Sequence, residues 1–152
     1  MIGDWIDKVE YPQLPSLTEE ELAAFLEQAQ FARLGTLNED GTIHIAPIFF
    51  KYKDGQILMA TQAPSRKVRN IKRNKNVTVL IDKTEVPFMG ALIYGTAELD
   101  YEDVIHKRMT IFERRLSREE AETYATRLSS KWQCVIIHIT PTHVASFDYS
   151  KS

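Results

Sequence analysis

The sequence predicts an α+β fold, a barrel of six to eight short antiparallel strands with a few flanking helices. Three observations predict it. Apolar runs of strand length are separated by two hairpin signals, Asn38-Glu39-Asp40-Gly41 and Lys53-Asp54-Gly55. One of those runs, residues 42–52, is apolar on both faces and so belongs in a covered sheet. Helical periodicity appears where the chain also carries capping boxes, Thr18 with Glu21 and Ser117 with Glu120.

The elements follow in order. Residues 1–17 read as an N-terminal arm, because Pro12 and Pro15 break regular structure. Its Trp5 and Tyr11 are expected to cover the body of the domain or a partner subunit. Residues 18–152 are expected to form a single domain. Its first helix starts at the Thr18 cap, with Leu17 and Leu22 as a hydrophobic staple, and runs to about residue 30. Leu22, Phe25, Leu26 and Ala29 fall on one face of it.

Strands over 31–37 and 42–52 flank the first turn, and the second turn leads into a strand over 56–61. In the middle strand Ile43, Ile45, Pro47 and Phe49 point one way, and Ala46, Ile48 and Phe50 the other. A helix or a second subunit packed on the barrel would cover both faces. Pro47 cannot donate to a ladder, so this strand needs an edge or a bulge there. Residues 65–74 form a short helix whose only apolar face is Val68 and Ile71. Strands over 77–81 and 89–99 precede two helices, 100–116 and 117–128. The first carries Ile105, Met109, Phe112 and Leu116 on one stripe, and the second Ala121, Tyr124, Ala125 and Leu128. Strands over 132–140 and 143–147 close the chain.

Bulk properties narrow the function. A chain of 152 residues, 43% hydrophobic and 26% charged, suits one globular domain. Its net charge of −2 argues against a general nucleic-acid binder. Asp4, Asp7, Lys8 and Glu10 deny the N-terminus a signal-peptide core. No apolar run approaches the roughly 20 residues that span a bilayer. A cytoplasmic location without a membrane partner is therefore expected. The single cysteine, Cys134, cannot form an internal disulfide, and its apolar neighbours predict a buried, inert thiol.

The charge along the chain is uneven. Between Asp54 and Asp82 there is no acidic residue, yet Arg66, Lys67, Arg69, Lys72, Arg73 and Lys75 all fall there. Ser65 stands where an N-cap would be, and a helix N-terminus offers unpaired N–H groups and partial positive charge to an anion. Cations in a first turn oppose the helix dipole, at about 0.3–1 kcal/mol each, and a bound phosphate would reverse that penalty. Taken alone, the pattern equally suits a solvated basic helix face with an ordinary serine cap.

The setting of this segment adds a resemblance. Leu34-Gly35-Thr36-Leu37, the turn to Gly41, the strand His44-Ile45-Ala46-Pro47-Ile48-Phe49-Phe50 and Ser65-Arg66-Lys67-Val68-Arg69-Asn70-Ile71 precede the strand Asn76-Val77-Thr78-Val79-Leu80-Ile81. Tyr94-Gly95-Thr96-Ala97-Glu98 and Ile139-Thr140-Pro141-Thr142-His143-Val144 come later. Together these resemble the flavin-binding split-barrel family typified by pyridoxamine 5'-phosphate oxidase, over roughly residues 20–148. The last motif matches the family's C-terminal turn.

The resemblance implies a split barrel, and a homodimer with the cofactor in a cleft between subunits. It implies that Ser65, Arg66 and Lys67 grip the cofactor's phosphate, with the Thr61 hydroxyl on the same side. Ala46, Pro47 and Ile48 would approach the ring system, largely through their backbone. Ala60 is carried over as a cofactor-binding position, although the oxidase has an aromatic residue there. The oxidase also has an arginine where this chain has His44, and a C-terminal extension with further contacts. Pyridoxamine phosphate oxidation is therefore not expected. The match is to short members, which include FMN proteins and deazaflavin-dependent reductases, with some relatives binding haem or biliverdin.

The leading expectation is an FMN-dependent oxidoreductase acting on an unidentified small molecule. The alternatives are a reductase using a deazaflavin coenzyme, or a flavin- or haem-binding protein without turnover. No catalytic acid or base can be named. His44, His106, His138 and His143 lack the spacing of a zinc site. His44 or His143 would be the axial ligand if the haem branch applied. Arg108, Arg114, Arg115 and Arg118 alternate with Glu113, Glu119 and Glu120, which predicts a solvated, ion-paired face.

Overall fold

A computed structural model describes residues 15–29, 31–129 and 131–151. Trp5, Tyr11 and Pro12 of the expected arm lie outside them. Seven strands form one antiparallel sheet in the order β2-β1-β5-β6-β7-β4-β3. They are β1 (Ala32–Leu37), β2 (Ile43–Ile48), β3 (Phe50–Lys53), β4 (Gln56–Gln62), β5 (Asn76–Lys83), β6 (Met89–Asp100) and β7 (Cys134–Asp148). Four α-helices accompany them among the described residues: α1 (Glu19–Gln28), α2 (Arg66–Arg73), α3 (Val104–Phe112) and α4 (Arg118–Ser129).

The two edge strands, β2 and β3, are consecutive in the chain and separated only by Phe49. One bent ribbon thus supplies both edges, and the sheet curls to bring them round as a split barrel. The run expected as a single strand is divided at Phe49. Pro47 sits on β2, opposite Arg33 of β1, and β2 has no second partner strand among the described residues. An edge strand is where a residue without an N–H belongs.

Local chemistry makes the turns. Gly41 (φ 89°) ends the first, and Asp54 (φ 51°) with Gly55 (φ 77°) makes the second, the paired left-handed residues of a two-residue hairpin. The Thr18 capping box forms as expected, with Thr18 Oγ1 accepting from Glu21 N–H and Glu21 accepting from Thr18 N–H at 2.9 Å. Ser117 and Glu120 cap α4 reciprocally in the same way.

The chain's end departs from expectation. Instead of two strands and a turn, β7 runs unbroken for 15 residues. Pro141 is accommodated because the register slips there: Tyr94 opposes His143 and Gly95 opposes Pro141, which leaves Thr142 as the extra residue of a bulge. The backbones close in at that bulge. A Cβ on Gly95 would stand 2.5 Å from the Thr140 carbonyl oxygen, so the position admits only glycine.

Two cores result. Leu34, Phe50, Ile57, Met59, Val79, Ile81, Ile93, Ile137 and Ile139 fill the barrel, each at most 1% exposed, closed by Leu26 of α1 and Ile71 of α2. On the other face of β4 and β7, Ile136 and Cys134 pack under α3 and α4 with Ile111, Phe112, Ala121 and Ala125. The all-apolar start of β7 is therefore buried on both faces, and burial raises the Cys134 thiol pKa. Residues 100–103 are not helical. Of the expected stripe on α3 and beyond it, Phe112 is buried and Met109 and Leu116 pack against the same core, but Ile105 is exposed, and Arg108 and Ile111 are buried beside Phe112.

Arg118 and the glutamates Glu113, Glu119 and Glu120 are exposed, but Arg108, Arg114 and Arg115 do not belong to a solvated ion-paired face. Arg108 is 1% exposed. Arg114 donates to the carbonyls of Leu26 (3.0 Å), Glu27 (2.7 Å) and Phe50, and its guanidinium lies 4.8 Å over the Phe50 ring. Arg115 donates to the Ala29 carbonyl. These cations satisfy the orphan carbonyls at the C-terminal end of α1, where helix polarity favours positive charge. They bolt the helical pair to the barrel. Arg114→Ala is expected to lower the unfolding free energy by about 2–3 kcal/mol in urea titration, since several charge-assisted bonds are lost together. A loss below about 0.5 kcal/mol would show that the bolt carries no load.

Candidate functional site

A cavity of about 250 Å³ opens beside the break between β2 and β3. The bend supplies Pro47, Ile48 and Phe49, the end of β4 supplies Ala60, Thr61 and Gln62, and α2 supplies Lys67. Phe31 stands at one side, and Arg108, Phe112, Tyr124 and Leu128 of α3 and α4 close the other. None of the described residues that line it is acidic.

The placement of α2 is set by a polar bolt. Asn70, 3% exposed, donates to Thr36 Oγ1 (3.0 Å) and Asn38 Oδ1 (2.9 Å), while Arg73 donates to Asn70 Oδ1 (3.0 Å) and the Leu37 carbonyl (2.6 Å). Val68 and Ile71 bury the apolar face. Ser65 caps the helix, its Oγ accepting from Val68 N–H at 3.4 Å, and its carbonyl accepts from Arg69 N–H. The N–H groups of Arg66 and Lys67 thus stand at the open end of the helix.

Lys67 is half-buried, and burial lowers its ammonium pKa. It has no ion-pair partner among the described residues. Arg108, facing the same cavity, donates to the Ala125 carbonyl at 3.4 Å. Two cations thus line a small space that no carboxylate of the described residues lines, against aromatic walls. Such a cavity favours an anionic group attached to a flat apolar body.

Of the residues singled out in the sequence, Pro47, Ile48, Ala60, Thr61 and Lys67 meet in this one cavity. Ala46, Ser65 and Arg66 are not among its lining. Ala46 lies half-buried on β2 opposite Leu34, and Ser65 is engaged as the cap. Arg66 is exposed and reaches electrostatically toward Asp40, whose carboxyl is held low chiefly by the Thr42 hydroxyl and N–H. The sequence reading missed Phe31, Phe49, Gln62, Arg108, Phe112, Tyr124 and Leu128. A signal existed for Arg108, an arginine four residues before Phe112 on an otherwise apolar helix face.

The histidines are dispersed. His44 is half-buried on β2 and its Nδ1 has no partner. His143 lies exposed on β7, 6.0 Å from the Tyr94 ring. His138 bonds Asp100 at 2.8 Å, beside Lys107 at 2.6 Å, and Lys107 above all holds the Asp100 carboxyl down to about 2. No three ligating groups gather as for a metal among the described residues.

On the outer sheet face a shallow concavity of about 620 Å³ spans β2, β1, β5 and β6. Ile43 and Ile45, each 65% exposed, and Leu37, Leu80, Leu92 and Tyr94 make it apolar. No helix of the described chain is long and apolar enough to cross a membrane.

Comparison with known proteins gives three kinds of result. A family model described as pyridoxamine 5'-phosphate oxidase matches residues 18–146. No protein with a curated description matches the sequence. Among solved structures, a conserved hypothetical protein of Mycobacterium tuberculosis superposes with a TM-score of 0.79 at 23% identity, over 94% of this chain and 92% of that one. An F420 reductase superposes with a TM-score of 0.67 at 19% identity, over 84% and 98%. A FAD-binding protein of Mesorhizobium loti gives 0.61 at 19% identity, over 88% and 95%. These identities establish a shared fold.

Lys67 carries its charge into the cavity at a cost, because desolvation disfavours the ammonium in the folded state. Lys67→Gln is therefore expected to leave Tm unchanged or raise it by about 1–3 °C in phosphate-free buffer. A drop of several degrees in a thermal melt would mean that the ammonium is satisfied within the protein.

Proposed function

The chain belongs to the pyridoxamine 5'-phosphate oxidase family, and from that premise we propose that it is an FMN-dependent oxidoreductase holding its cofactor in the cleft at the β2–β3 break. The observation that carries the reading is half-buried Lys67, without an ion-pair partner among the described residues, in a cavity that none of their acids lines and that also gathers Pro47, Ile48, Ala60 and Thr61. Lys67, the Thr61 hydroxyl and the N–H groups opening α2 hold the phosphate, with Ser65 fixing the helix end and Arg66 adding charge from outside. Ala46, Pro47 and Ile48 form the strand that the ring system lies against, with Ala60 beside it. When bound, FMN supplies the group that accepts and passes on a hydride or electrons. The protein holds the phosphate, aims the ring and excludes water.

A deazaflavin coenzyme is the second reading, favoured by the likeness to an F420 reductase. It too carries phosphate and would use the same cations.

The reading includes a homodimer. Ile43 and Ile45 present a contiguous apolar surface that the chain leaves in water, and such surfaces mark interaction sites. A second copy across the outer face of β2, β1, β5 and β6 would bury it and wall the cofactor cleft from the far side.

Two measurements test these roles. FMN titration of the double variant Arg66→Ala/Lys67→Ala is expected to lose about 1.5–3 kcal/mol per charge-assisted contact while circular dichroism stays unchanged. Unaltered FMN affinity would remove the phosphate assignment. Ile45→Asp should convert a dimer to a folded monomer in light-scattering chromatography and weaken flavin retention with it. A dimer that survives the substitution would place the interface elsewhere.

A further inference from the structure

A second cavity, of about 530 Å³, adjoins the proposed cofactor cleft. Phe49 and Tyr124 line both spaces, so the two meet at these rings. Leu116 and Thr123 extend the apolar wall, and Glu119, Glu120 and Arg127 stand around the mouth. Its size falls in the range of roughly 300–1,000 Å³ typical of small-molecule pockets.

The wall is built rather than incidental. Phe112, 3% exposed, anchors both shared rings: Phe49 meets it edge-on at 5.6 Å, and Tyr124 lies at 5.1 Å. Phe31 continues the row, 5.1 Å from Phe49. Aromatic rings held by ring neighbours offer fixed faces and edges on which another flat ring stacks at little entropic cost.

The charges of the two cavities are opposed. Among the described residues the cofactor cleft is lined by Lys67 and Arg108 and by no acid, whereas the second mouth is lined by two carboxylates and one guanidinium. Glu120 is partly committed, accepting from Ser117 N–H at 3.3 Å, while exposed Glu119 heads α4. An anion is steered to the first space and away from the second.

We propose that this second cavity is the substrate subsite, and that it takes a flat aromatic molecule that is neutral or cationic rather than anionic. The assignment rests on the flavin reading, because a subsite sharing two rings with the cofactor cleft brings its occupant beside the cofactor. It goes beyond that reading by naming the substrate's shape and charge.

The test uses three probes of one ring size, 2-naphthol, 1-naphthylmethylamine and 1-naphthoate, titrated calorimetrically into the protein with and without FMN. The naphthol and the amine should bind at least tenfold more tightly than the naphthoate. Thr123→Trp, at an exposed position on α4, should abolish probe binding and leave FMN affinity intact. Glu119→Gln should narrow the gap between amine and naphthoate by several-fold. Naphthoate binding as well as the amine, or probe binding that survives Thr123→Trp, would overturn the proposal, as would no binding of any probe. Failure of FMN to bind while the probes obey this pattern would sink the flavin reading and leave the aromatic subsite standing.

Discussion

The constraint on which the molecule depends is that one ribbon, from Ile43 to Lys53, must serve as both edges of a seven-stranded sheet. A strand at a sheet edge has unpaired N–H and C=O groups, and a curled sheet that uses a single bent segment for both edges limits that exposure. The ladder has to break where the ribbon changes partners, from β1 to β4. Phe49 occupies the break, Pro47 and Ile48 end the strand that leads into it, and all three line the cleft. The opening is a by-product of closure. A barrel with seven separately paired strands would have no such gap.

What fills the surroundings of that gap is equally constrained. α2 reaches it because Asn70 is bonded to Thr36 and Asn38 at the first hairpin, which fixes the helix start near the end of β4. α3 and α4 reach it because Arg114 and Arg115 hold their junction to the carbonyl end of α1. Both attachments are polar bonds between groups that would otherwise be orphaned. The same bonds that complete helix ends therefore set the geometry of the cavity.

Charge is distributed to match. Lys67 is kept half-buried without a counter-ion among the described residues, an arrangement that costs stability in the free protein and favours an anionic guest. On the proposed reading, binding energy spent on a remote phosphate would hold the ring in place without touching its reactive part. The aromatic row from Phe31 to Tyr124 then stands between a cleft lined by Lys67 and Arg108 and one lined by Glu119, Glu120 and Arg127, the arrangement on which the proposed side-by-side placing of cofactor and substrate rests.

The sequence by itself determined the pieces whose chemistry is local. The Thr18 and Ser117 capping boxes, the turns at Gly41 and Asp54-Gly55, the Ser65 cap and the apolar pair Val68 and Ile71 all formed as their residues required, because each depends on groups within a few positions. The family pattern also placed Pro47, Ile48, Ala60, Thr61 and Lys67, which do converge. Tertiary structure decided the rest. Pro141 reads locally as a break, yet fifteen residues of β7 stay extended because pairing with β6 absorbs Thr142 as a bulge. The arginines of 108–115 read as surface, yet Arg108 is buried and Arg114 and Arg115 answer carbonyls more than 80 residues away. Partners so distant leave no periodicity in the sequence. Only the folded chain brings them within hydrogen-bond reach.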